Sequence, residues 1–251
     1  MEWIIAGAAS LLAGFVDAVV GGGGLILLPA LFSVFPTAPA PTILGTNKAT
    51  AVWGTGIAAT QFARRVQIRW RTVLPAAGAA FAAAFFGAYL ATVVSGDAMR
   101  KALPFVLLVV LVYTLARKDL GSHHTPRFVG RAEALIACVI GTAIGFYDGF
   151  FGPGTGSFFV FLFVRALGYD FLNASASSKI LNVGTNAAAL ILFAATGHVW
   201  WHLALPLAVL NIAGALIGAR MALRKGSDFV RWIFIVVVGA LIIKTFADAF
   251  V

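Results

Sequence analysis

The chain has 251 residues, of which 61% are hydrophobic and only 11% charged, where an ordinary soluble domain carries about a quarter charged. A mean hydropathy of +0.97 excludes a soluble globule and makes lipid the solvent for most of the chain. The formal net charge is +9, but the basic residues sit in short gaps between apolar runs, as membrane loops require, so nucleic acid is not the implied partner. Apolar segments run over about 3–20, 25–44, 49–63, 73–95 and 102–116, then 132–151, 157–168, 180–196, 200–219 and 232–250. Most approach the roughly 20 residues a helix needs to cross about 30 Å of hydrocarbon. Lipid offers the backbone no hydrogen bonds, so the segments are read as helices. Runs such as PFVLLVVLVYTL do not alternate as barrel strands would. The opening MEWIIAG has no basic n-region and is read as a retained first span. The second segment carries Pro29, Pro36, Pro39 and Pro41, and its later counterpart opens on GPGTG, so both are expected to be short or broken helices. RKDLGSHHTPRFVGR is the one polar linker. The expected organisation is a first transmembrane repeat over 1–120, a cytoplasmic linker over 121–131 and a second repeat over 132–251. A lone Cys138 excludes an intramolecular disulfide.

The halves are copies. An ungapped shift of 131 residues pairs Asp17 with Asp148, Gly21 and Gly23 with Gly152 and Gly154, and Lys48 with Lys179. It continues through Trp70 and Trp201, Pro75 and Pro206, Gly87 and Gly218, and Arg100 and Arg231. Compositional bias would match Ala, Leu and Gly, but not two aspartates, two lysines and two tryptophans. Internal repeats in a helical membrane protein are the usual signature of a secondary transporter. With five crossings per half, thirteen basic residues of the loops fall on one side and Arg100, Lys101 and Lys244 on the other. Four crossings per half would split them almost evenly. The positive-inside rule therefore selects about ten segments, inverted five-segment repeats and both termini outside. The expected fold is an all-α polytopic membrane protein with Gly/Pro-broken helices.

Asp17, Lys48, Asp148 and Lys179 lie in or beside apolar segments. Charges at membrane depth are costly and commonly face a cavity or each other along a pathway. Two structural Asp–Lys pairs, or lysines snorkelling from helix ends, are the ordinary alternative. The glycine runs VVGGGGLILLP and FFGPGTGSFF follow the aspartates. Gly22, Gly23, Gly154 and Thr155 would there expose backbone amides to an anion at the next helix start, or simply form tight turns. No GK[ST] follows GPGTGS, which argues against a phosphate loop. The third segments open on GTNKATAVWG and ASSKILNVGTN. Thr46, Asn47 and Lys48 beside Ser177, Ser178 and Lys179 make an expected oxyanion site at a helix start. Helix capping favours the same residue types. Asn182, Thr185 and Asn186 extend one face from Lys179. His198 and His202 belong to a GHVWWH stretch read as an interfacial aromatic belt rather than a metal site. No metal, cofactor, nucleophile set or other sign of an enzyme is found in the motifs.

GFVDAVVGGGGLILLPALF and GFYDGFFGPGTGSFF, each followed by a Lys-bearing polar stretch, resemble the TauE/SafE (TSUP) family of sulfite and sulfonate exporters, the second motif resembling its bacterial permease branch. The resemblance spans nearly the whole chain. It implies a multi-pass transporter of the bacterial inner membrane for small sulfur-containing anions such as sulfite or organosulfonates. Many family motifs read GxGGG in both halves, whereas here the runs are GGGG and GPGTG, which leaves the backbone roles of Gly22 and Pro153 open. Joined to the residue reading, it predicts alternating access with Lys48 and Lys179 attracting the anion. Two lysines and two ionised aspartates sum to zero, so Asp17 and Asp148 are the candidates for proton coupling. An anion channel, a transporter of another small organic anion and a membrane scaffold remain alternatives, and a homo-oligomer stays open.

Overall fold

A computed structural model describes residues 2–93 and 124–250, and every regular element in them is helical. The expected segment 102–116, with Arg100, Lys101, Arg117 and Lys118, lies outside the described residues. Helix α1 spans Glu2–Val20 and stops where Gly21 turns to φ 74°, a conformation that costs glycine nothing. Helix α2 spans Gly24–Val34. Helix α3, Ala40–Ala63, starts after Pro39 with a proline in its first turn, where the missing N–H is not needed. Helix α4 is Trp70–Ala91, α5 Gly130–Phe150 and α6 Thr155–Leu162. A π-helical turn, Phe163–Leu167, follows α6 and ends at Gly168 with φ 78°. Helix α7, Phe171–Ala195, is capped by Asp170, whose side chain accepts from the Asn173 amide. Helix α8, Trp201–Phe250, breaks at Gly226.

Helices α1, α4, α5, α7 and the Trp201–Ile233 part of α8 are long and apolar enough to cross a membrane. The 11 residues of α2 reach only about 16 Å, half a crossing. The expected boundaries need correction at the third segment of each half. The chain is one continuous helix from Ala40 to Ala63 and from Phe171 to Ala195, so no break separates 25–44 from 49–63, and α7 begins well before 180. The reason is local: Pro39 and Pro41 start a helix instead of interrupting one, and Asp170 supplies a cap.

The sequence repeat is also a repeat of helices. The starts of α6, α7 and α8 fall 131 residues after those of α2, α3 and α4. Among the described residues the most extensive packing joins α4 to α5 and α1 to α8, a pair of contacts that the same shift exchanges. Small residues make it close. A Cβ on Gly145 would meet the Ala80 carbonyl oxygen at 2.5 Å, and one on Gly14 would meet that of Asn211 at 2.0 Å. Residues 80 and 211 are themselves one shift apart. Such close backbone approach supplies the dispersion contacts that associate helices in lipid, where no hydrophobic force acts between them.

Candidate functional site

Both halves break at glycine just after a buried aspartate, α1 giving way to α2 and α5 to α6. Gly21, Gly152 and Gly154 carry positive φ. The two turns touch. Ser157 Oγ donates to the Gly21 carbonyl oxygen at 2.8 Å, and a Cβ on Gly156 would lie 2.4 Å from Gly21 Cα. Neither α2 nor α6 has a side-chain cap at its N-terminus, and the Leu25, Ile26 and Thr155 amides turn back onto the Gly22, Gly23 and Gly152 carbonyl oxygens, so both helices bring the positive end of their dipole to the contact.

A polar cavity lies at this junction. Its walls include Asp17, Gly22, Gly23, Asn47, Lys48, Asp148, Gly154, Thr155, Asn182 and Asn186, with Gly21, Gly24, Ala51, Gly152 and Gly156. Lys48 Nζ donates to Asp148 Oδ1 at 2.6 Å and to Asn186 Oδ1 at 3.0 Å. Thr155 Oγ1 donates to the same Asp148 oxygen at 2.6 Å. The second oxygen, Asp148 Oδ2, and Asn47 Oδ1 are buried without a hydrogen-bond partner among the described residues. Asp17 Oδ2 accepts from Thr55 Oγ1 at 2.8 Å.

The other expected residues sit elsewhere. Lys179 does not line the cavity. Its ammonium donates to the Asp17 backbone oxygen at 3.0 Å and to Ser175 Oγ at 3.1 Å, and lies 5.0 Å from the centre of the Phe62 ring. Thr46 Oγ1 accepts from the Trp200 amide at 3.0 Å, tying α3 to the start of α8. Ser178 Oγ donates to the Gly156 carbonyl at 3.0 Å, and Ser177 is buried in α7. The expected cluster of four polar residues around two lysines is therefore divided, with Asn47 and Lys48 at the cavity and Thr46, Ser177, Ser178 and Lys179 away from it.

The helix-start reading of the lysines is corrected too. Lys48 and Lys179 each stand two turns inside α3 and α7, so first-turn amides of those helices cannot serve them. The helix N-termini at the cavity are those of α2 and α6. Thr55 and Ser175 were not expected at the site. The shift of 131 pairs Thr55 with Asn186, a signal that would have found the first. Ser175 pairs with Leu44 and had no such signal. His198 pairs with the Thr196 hydroxyl at 2.9 Å in the turn before α8.

A family model described as sulfite exporter TauE/SafE matches residues 6–245. The chain is 38% identical over 240 residues to a probable membrane transporter protein of Sinorhizobium sp., covering 96% of this chain and 90% of that one. It is 35% identical over 241 residues to the probable membrane transporter protein YfcA of Escherichia coli, covering 96% and 88%. A probable membrane transporter protein of Haemophilus influenzae is 33% identical over 219 residues, covering 87% and 84%. The chain belongs to the TauE/SafE family and is a multi-pass membrane transporter.

Proposed function

We propose that this member of the TauE/SafE family moves a small oxyanion of the sulfite or organosulfonate class by alternating access, outward across the bacterial inner membrane. The observation that carries the reading is the convergence of two helix N-termini without side-chain caps, α2 and α6, with the buried Lys48 ammonium on one polar cavity. Helix N-termini and an ammonium favour an anion, and the glycines let it approach the backbone. Gly22, Gly23, Gly154 and Thr155 supply the amide wall, and Asn47, Asn182 and Asn186 supply neutral polar contacts. Thr46, Ser177 and Ser178 brace the helices around the site, and Lys179 sets its charge from behind Asp17. In this reading the repeats are inverted, residues 1–120 and 132–251 forming the two halves, with both termini periplasmic.

Charge decides the coupling. Lys48 is already matched by Asp148, so a monoanion entering the cavity adds one uncompensated charge, which protonation of one aspartate cancels. Asp17 is the better of the two candidates. Its carboxylate is held by a hydroxyl, while that of Asp148 is held by an ammonium.

Uptake of sulfite and of a panel of sulfonates into proteoliposomes tests the reading, with thermal stabilisation by each anion measured alongside. Saturable, anion-dependent flux that Lys48→Ala abolishes in a folded protein is the expected result. Unchanged flux in that variant overturns it. Conductive flux that does not saturate assigns a channel instead.

A further inference from the structure

The shift of 131 residues turns one described contact into another that is not made. Lys48 and Asp148, joined at 2.6 Å, correspond to Lys179 and Asp17. Yet Lys179 donates to the Asp17 backbone oxygen and to Ser175 Oγ rather than to the Asp17 carboxylate, and its ammonium rests over the Phe62 ring. One symmetric constellation thus holds one lysine joined and the other withdrawn.

The withdrawn position has its own counterpart. Phe62 corresponds to Phe193, which is fully buried, and the Asp17 backbone oxygen corresponds to that of Asp148. An aromatic face and a helix-end carbonyl are what an ammonium needs when it leaves a carboxylate within a membrane. The third contact of Lys179, Ser175, corresponds to Leu44, so the withdrawn seat for Lys48 is the poorer one. That asymmetry agrees with Lys48 being the joined lysine here.

We propose that Phe62 and Phe193 are positioning residues of the transport cycle, each the seat of a withdrawn lysine. In the described state Lys48 holds Asp148 while Lys179 sits on Phe62. In the opposite-facing state Lys179 holds Asp17 while Lys48 sits on Phe193. The proposal rests on the inverted, alternating-access reading above and supplies its internal switch.

Hydrogen exchange on the full chain in lipid nanodiscs tests it, comparing the amides of the α3–α4 turn with those of the α7–α8 turn, which inverted repeats put on opposite faces. Phe62→Leu weakens the described state and Phe193→Leu the other. The ratio of exchange rates at the two turns is therefore expected to move in opposite directions, by roughly threefold or more for loss of a desolvated cation–π contact. Lost packing alone would raise exchange at the nearer turn, since the Arg65 and Val66 amides donate to the Phe62 carbonyl and the His198 amide to that of Phe193. Asp148→Asn should move the ratio with Phe62→Leu, and Asp17→Asn with Phe193→Leu; the aspartates stand in neither turn, so their variants decide and the phenylalanine variants must agree with them. Variants that move the ratio together, or not at all, overturn the switch. If sulfite and sulfonates leave the wild-type protein unaffected while the variants still move apart, the oxyanion reading fails and the switch stands.

Discussion

Lys48 Nζ lies 2.6 Å from Asp148 Oδ1 although the two residues are 100 positions apart, and both side chains are almost wholly buried. The pair crosses from α3 in one half to α5 in the other. Desolvating two charges costs several kcal/mol per ion, which their attraction offsets only while both are present. Asp148→Leu or Lys48→Met alone should therefore destabilise by about 3–5 kcal/mol, by leaving one buried charge unmatched. The double variant should recover most of that loss. Unfolding in detergent micelles measures all three, and a double variant no more stable than the sum of the singles would refute the coupling.

The close packing of α4 on α5 gives a second prediction. A Cβ on Gly149 would sit 1.8 Å from the Ala84 carbonyl oxygen, whereas one on Gly56 would meet nothing within 4 Å. Backbone cannot yield as a side-chain tip can, so Gly149→Ala must push the helices apart, at about 1–3 kcal/mol or more. Gly56→Ala should be neutral or stabilise by up to about 1 kcal/mol, since glycine inside a helix lacks alanine's propensity. A Gly149→Ala protein with an unchanged unfolding midpoint would contradict the packing.

The repeat and its charged residues were legible because Asp17, Lys48, Asp148 and Lys179 are rare in lipid and recur at one shift. The glycine breaks were legible for a similar reason, since only glycine tolerates the φ of 74° and 90° found at Gly21 and Gly152. The helix starts were not. Pro39 and Pro41 read as breakers in a hydropathy scan, yet a proline in the first turn initiates a helix. Moving that start to Ala40 carries Lys48 from a helix terminus to its interior. Nor could spacing separate Lys48 from Lys179, because the shift makes them equivalent. Only packing reveals that one meets a carboxylate and the other a carbonyl and a ring.

Beyond the spans, Tyr169 donates its hydroxyl to Glu133, which also pairs with Arg69 at 3.1 Å. Burial raises the Tyr169 pKa above the ordinary tyrosine value, and the hydrogen bond and charge of Glu133 raise it further. The folded state therefore holds this proton more tightly than the unfolded chain. The resulting stability is fully present below about pH 10 and is lost as pH rises above it. Tyr169→Phe should cost about 1–2 kcal/mol at neutral pH and flatten the alkaline part of the stability profile. Titrating the unfolding midpoint from pH 7 upward checks both, and a profile identical in slope to wild type would count against the Tyr169–Glu133 link.

Asn47 separates structural from functional need. Its Oδ1 is buried at the cavity with no hydrogen-bond partner among the described residues, and an unsatisfied buried acceptor costs about 1–3 kcal/mol. Asn47→Leu removes the polar group while keeping similar volume, so the protein without anion should be as stable as wild type or more so. In the proposed function the same change removes the Nδ2 donor from the anion and the Oδ1 acceptor from its waters, so stabilisation by sulfite or a sulfonate should fall severalfold. The two effects have opposite signs, and both are read from unfolding midpoints with and without anion. If Asn47→Leu lowers the anion-free midpoint and leaves the anion response intact, the side chain braces α3 and takes no part in binding.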